Sequence, residues 1–129
     1  MSRVIQYAWK IFDIADATPK TLFHAVRGSR RLAVGKWILA EQKMVDDNGR
    51  KYLSGFHLYR SLADVRHWVE RAKNLEGRVV CVVAFKGRRT KVHAKLPTIL
   101  ADAILIEPKA WEKRVSLKTL YYTNLLEPV

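Results

Sequence analysis

Residues 3–12, RVIQYAWKIF, place Ile5, Tyr7, Trp9 and Ile11 at alternate positions, with Val4, Ala8 and Phe12 between them. A period of two marks a strand, and apolar residues at both phases predict one partly covered on both faces. DIADATPK (13–20) has loop composition, and TLFHAV (21–26) is a short apolar run ending at an Arg-Gly turn. LAVGKWILAEQ (32–42) fits a strand or a short helix that Gly35 interrupts. DDNG (46–49) is a turn signal, because Asn-Gly suits positive φ. KYLSGFHLY (51–59) reads as a strand whose interior Gly55 predicts a bulge or a close backbone approach.

SLADVRHWVERAKNL (61–75) carries the helical pattern: Leu62, Val65, Trp68, Val69, Ala72 and Leu75 form one stripe, with Ser61 as cap. RVVCVVAF (78–85) is continuous and β-branched, which predicts a buried central strand. A turn at Lys86-Gly87 is then expected to lead into an exposed alternating strand that Pro97 ends. ILADAILI (99–106) reads as a further strand. Beyond Pro108, WEKR suits a helix start, and Leu117, Leu120, Tyr121 and Leu125 fit helical spacing. No repeat, linker or low-complexity tract interrupts the chain. The expectation is one α+β domain over 1–129: a small mixed or antiparallel β-sheet core, one main amphipathic helix (61–75), and a C-terminal extension (107–129) of unassigned structure.

The chain has 129 residues, 49% of them apolar, enough for one core. No apolar run approaches the ~20 residues of a membrane span, and the N-terminus lacks the apolar stretch of a signal peptide. One cysteine, Cys81, rules out an internal disulfide and a multi-cysteine zinc site. These features predict a soluble, cytoplasmic protein with no membrane partner. Charge changes the picture most. Lys and Arg number 24 against 12 Asp and Glu, a formal net of +12. Such an excess calls for a polyanion, an acidic protein surface or an anionic cofactor. It is gathered in two runs, RGSRR (27–31) and KGRRTKVHAK (86–95). Arg27, Arg30, Arg31, Lys86, Arg88, Arg89 and Lys91 are therefore the candidate phosphate ligands, provided that the two runs share a face. The alternative is a pair of solvated hairpin tips.

Catalytic motifs are absent: no phosphate-binding G-x-x-x-x-G-K-[ST], no G-x-G-x-x-G, no H-E-x-x-H, no C-x-x-C and no G-x-S-x-G. No metal site and no cofactor are expected on that reading. His24 and His57 each sit in an apolar strand and need a hydrogen-bond partner or a cleft. Cys81, between valines, reads as an inert core thiol. Glu107 ends the ILIE run and is either a site carboxylate or a solvated edge residue.

Two resemblances follow from these segments. YLSGFH (52–57), the helix after it and VVCVVAFKG (79–87) resemble small phage and prophage proteins with a "GFH" signature. That resemblance spans roughly residues 4–106 and implies a mobile-element setting. LFH (22–24) and SGFHLYRSLADVRHW (54–68) are similar to the ADP-ribosyltransferase-like fold, which holds NAD between two small sheets. That resemblance implies NAD as cofactor, His24 on the adenosine ribose, Tyr59 stacked on nicotinamide and Glu107 steadying the oxocarbenium charge, although Ala25 and Val26 replace its usual Gly-Ser/Thr pair.

The leading expectation is a small basic accessory protein, more binding module than enzyme, that docks on nucleic acid or a nucleoprotein complex. Tyr52, Tyr59 and Trp37 would stack on unpaired bases, at ~1–3 kcal/mol per base. The alternatives are an NAD-using enzyme and an interaction protein that meets an acidic surface.

Overall fold

A computed structural model describes residues 5–21, 30–42, 44–47, 49–72, 74–90 and 98–126. The elements are, in order, β1 (Gln6–Ala15), β2 (Thr18–Lys20), β3 (Trp37–Leu39), β4 (Met44–Asp47), β5 (Arg50–Leu53), β6 (Phe56–Leu58), α1 (Leu62–Arg71), β7 (Arg78–Thr90), β8 (Ile99–Leu105), α2 (Pro108–Glu112), β9 (Val115–Ser116) and α3 (Leu117–Leu126). The fold is α+β, and every strand pairing is antiparallel.

The main sheet runs β2-β1-β7-β8-β3, with β6 also on β8 and β9 also on β7. It curls on itself. Tyr59, just after β6, exchanges both backbone hydrogen bonds with Trp9 of β1 (2.7 and 2.8 Å), so the path β1-β7-β8-β6 returns to β1. The curl divides the side chains of β1 and β7 into an inner and an outer set. Ala8, Phe12, Cys81, Val83 and Phe85 point inward with Phe56, Leu58, Ile104, Ile106 and Trp111. Ile11 and Val80 point outward, and there Val65 and Val69 of α1 meet Leu117 and Leu120 of α3. β1 is partly covered on both faces, as its pattern implies: the curl encloses Ala8 and Phe12 on one side, and the helices cover its Ile11 end on the other, while Tyr7 stays exposed. Trp111, Leu117 and Leu120 are buried, so the segment after Glu107 contributes to both clusters.

α1 starts as its sequence predicts: Ser61 Oγ accepts from the Asp64 amide at 3.2 Å. It stops at Arg71, not Leu75, because Ala72 turns extended while its amide still bonds the Trp68 and Val69 carbonyls. Three other expectations are corrected. Residues 13–20 form a hairpin, not a loop, with Asp16 (φ 52°) and Ala17 (φ 62°) making its turn. The 51–59 segment splits at Ser54-Gly55: β5 pairs with β4 in a separate two-stranded sheet, while β6 joins β8.

The third correction is at Gly87. The chain does not turn there; β7 continues to Thr90. Gly87 has φ +71°, and a Cβ on it would overlap the Asp102 carboxylate of β8. The glycine gives that carboxylate room within the sheet. Asp102 accepts from Arg89 (2.7 Å) and from Gln42, and Arg89 also donates to the Leu53 (2.6 Å) and Ser54 (3.0 Å) carbonyls. One guanidinium thus ties the end of β5 to the main sheet. Gly55 is the close approach that the sequence implies, since a Cβ there would lie 2.8 Å from the Ala101 oxygen.

Candidate nucleic-acid interface

β3 is three residues, Trp-Ile-Leu, with only Ile38 turned into the core. It is clamped to β8 beyond its own ends: Gly35 donates its amide to the Ile106 oxygen and Ala40 to the Asp102 oxygen, both at 2.8 Å. Alternation therefore pushes Trp37 and Leu39 outward. Arg30 and Arg31 are brought alongside by a second anchor. Thr21 donates its amide to the Arg30 oxygen (2.8 Å), Leu32 donates to the Pro19 oxygen (2.9 Å), and the Leu32 side chain is buried. From there Arg30 Nη1 reaches the Leu39 carbonyl at 3.3 Å. Together with Lys36 and Trp37 these residues line an open groove of about 490 Å³.

The second basic run arrives from β7. Lys86 Nζ lies 4.2 Å from the centroid of the Trp37 ring. Such a cation–π contact at an exposed site is worth ~0.5–1 kcal/mol, little enough for the ammonium to leave it for a phosphate. Trp37 is thus the point where the two runs of the sequence meet: Arg30 and Arg31 from the first, Lys86 from the second, with Lys36 between them. Lys36 belongs to neither run and the sequence did not single it out; its one signal is its place beside Trp37.

The carboxylates around this face are engaged. Asp16 pairs with Arg31 at 3.3 Å, both largely exposed. Asp102 holds Arg89, and Glu107 accepts from the Tyr7 hydroxyl at 3.3 Å. That carboxylate pushes the Tyr7 phenol up, by its charge first and by the hydrogen bond as well. Among the described residues, Arg30, Lys36, Lys86 and Arg88 have no carboxylate partner. Arg89 is placed differently from its neighbours, since its donors serve the fold.

The other candidates fall elsewhere. His24, Arg27 and Lys91 lie outside the described residues. His57 is half-buried and its carbonyl accepts from Lys10 Nζ at 3.2 Å. Tyr59 is 5% exposed, its ring packed with Val65 and Val69, and burial pushes its phenol up to about 12. Glu107 precedes α2 on the outer side, beside Tyr7. The two residues assigned to nicotinamide chemistry therefore have separate surroundings, Tyr59 under α1 and Glu107 half-buried beside Tyr7. Burial likewise pushes the Cys81 thiol up to about 11. No helix among the described residues is long and apolar enough to cross a membrane. Comparison of the chain with protein-family models, with curated proteins and with solved structures gives no match.

Proposed function

We propose that this chain is a nucleic-acid-binding accessory module that holds phosphates along the face around Trp37. The observation that carries the reading is the meeting of the two basic runs there, with Lys86 over the ring and Arg30 and Lys36 in the groove beside it. A net charge of +12 supplies the long-range attraction, and the local cluster without carboxylate partners supplies the contact. The resemblance to small phage and prophage proteins is in keeping with such a role.

Counterion release gives the test. If Arg30, Lys36, Lys86 and Arg88 each neutralise one phosphate, log K falls with log salt at a slope of about −3 on a single strand. Fluorescence anisotropy of a labelled oligonucleotide measures it. Lys36→Ala with Lys86→Ala should bring the slope to about −1.5. A salt-independent affinity, or a slope unmoved by the double variant, refutes the assignment. A partner that survives nuclease treatment in its place would point to an acidic protein surface.

A further inference from the structure

The outer face of the sheet has two halves. Near Ile11 and Val80 it lies under α1 and α3. Towards the other end of β1 no described helix covers it, and the register sets Tyr7, Ala84, Leu105 and Trp37 side by side across β1, β7, β8 and β3. The next row carries Lys86, Ala103 and Leu39. Tyr7 is 53% exposed, Trp37 37% and Leu39 75%, with Ile5 at 54% just before β1. Between the two rings Ala84 and Ala103 are buried and Leu105 is half-buried, so the exposed apolar surface here is that of Tyr7, Trp37, Leu39 and Ile5. Tyr7 and Trp37 stand three strand spacings apart, about 14 Å.

Phosphates explain the basic rim of this surface but not its exposed apolar side chains. A duplex offers phosphates, sugars and groove edges, and its base faces are stacked on one another. A single strand can splay its bases and lay them on aromatic rings while its backbone follows positive charge. We infer that the ligand of this face is single-stranded nucleic acid, with one base stacked on Trp37, its phosphate held by Lys86 and the Arg30–Lys36 groove, and the strand running across β8 and β7 towards Tyr7. This rests on the nucleic-acid reading above and adds the form of the ligand and the residue that recognises it.

The test uses three probes at equal salt: a labelled oligothymidylate of about 16 nucleotides, the upper end of known single-strand site sizes, its duplex with oligoadenylate, and inorganic polyphosphate as competitor. The single strand should bind about tenfold or more tightly than the duplex, since only it can stack. Trp37→Ala should weaken single-strand binding by about 5–150-fold and leave competition by polyphosphate unchanged. Trp37→Phe, which keeps a ring, should restore most of the affinity. Of the four tryptophans, Trp37 should supply the quenching on binding, so Trp37→Phe should remove that signal. Equal affinity for strand and duplex, or a Trp37→Ala loss matched for polyphosphate, overturns the single-strand inference and leaves phosphate binding standing. No salt-dependent binding of any of the three probes overturns both.

Discussion

Lys10 is the one buried lysine among the described residues, and its cost can be read from a pH series. It lies on β1 between inward-pointing Ala8 and Phe12, with Cys81 directly opposite on β7. Its ammonium donates to the His57 carbonyl and lies 5.5 and 5.6 Å from the Phe12 and Phe56 ring centroids. Burial lowers its pKa to about 8. In the unfolded chain the amine titrates near 10.4, so at neutral pH the fold carries a penalty of about 3 kcal/mol. Below pH 8 both states hold the proton and the penalty is complete. As pH rises from 8 towards 10.4 the native amine is already neutral while the unfolded one still binds a proton, so stability rises. Between about pH 6 and 9 the gain is about 1.4 kcal/mol. That is an upper figure, because the π faces of the two rings favour the ammonium by ~0.5–1 kcal/mol each. Lys10→Met keeps an unbranched chain and removes the titration. It also removes the Lys10 bond to the His57 carbonyl, a pH-independent cost of about 1–3 kcal/mol. Urea unfolding of both proteins across this range gives the difference in stability at each pH. Cys81, pushed up to about 11, begins to lower stability as pH passes the unfolded thiol's value near 8.5, and Tyr59, pushed up to about 12, does so above about 10; both occur in both proteins, so to first order they cancel in the difference. The stability of wild type relative to the variant should rise with pH by about 1 kcal/mol over this range. Parallel stability curves would refute the reasoning, since they would mean that the Lys10 amine titrates alike in the folded and unfolded states.

Gly87→Ala adds a Cβ against the Asp102 carboxylate at a positive φ and should cost about 2–4 kcal/mol by chemical denaturation, whereas Gly77→Ala, also at positive φ but with open space around it, should cost only about 1–2. A Gly87→Ala loss no larger than that of Gly77→Ala would sink the account of how Asp102 is accommodated. Ala17→Gly relieves a left-handed alanine in the β1–β2 turn and should raise stability by about 0.5–1 kcal/mol, read as a shift of the thermal midpoint. Cys81, buried and with its thiol pushed up to about 11, should react with a thiol reagent near neutral pH only after denaturant is added; prompt reaction in buffer would show that the inner cluster opens.

The elements legible in the sequence were those whose own residues determine them. Val79–Phe85 is apolar at every position and became the middle of the sheet, and the helix from Ser61 carries both its cap and its stripe. What escaped depends on partners distant in the chain. Asp16-Ala17 lacks the glycine or asparagine that flags a two-residue hairpin, yet pairing of Asp13 to Ala15 with Thr18 to Lys20 holds that turn. Gly87 looks like a turn residue until Asp102, fifteen positions on, is seen to occupy the space of its missing side chain. Lys10 is one cation in an alternating strand, and only the curl of the sheet makes its phase the enclosed one.

Charge shows the same limit for the site. Arg88 and Arg89 are adjacent and of one type, so a run of sequence treats them as equals. In the fold, Arg89 spends its donors on two carbonyls and a carboxylate, while Arg88 is exposed without an acidic partner. Arg30 and Arg31 divide similarly, one at the free side of β3 and the other on Asp16. A count of basic residues therefore overstates the cations available to a ligand, and misses Lys36, which stands alone in the sequence. What brings Lys86, Lys36 and Arg30 together is an exposed ring on β3, whose outer side no described helix covers. Because α1 and α3 pack over the Ile11 end of β1, the apolar residues at its Tyr7 end stay at the surface, and Trp37 with Lys86 is where this uncovered face meets the positive charge.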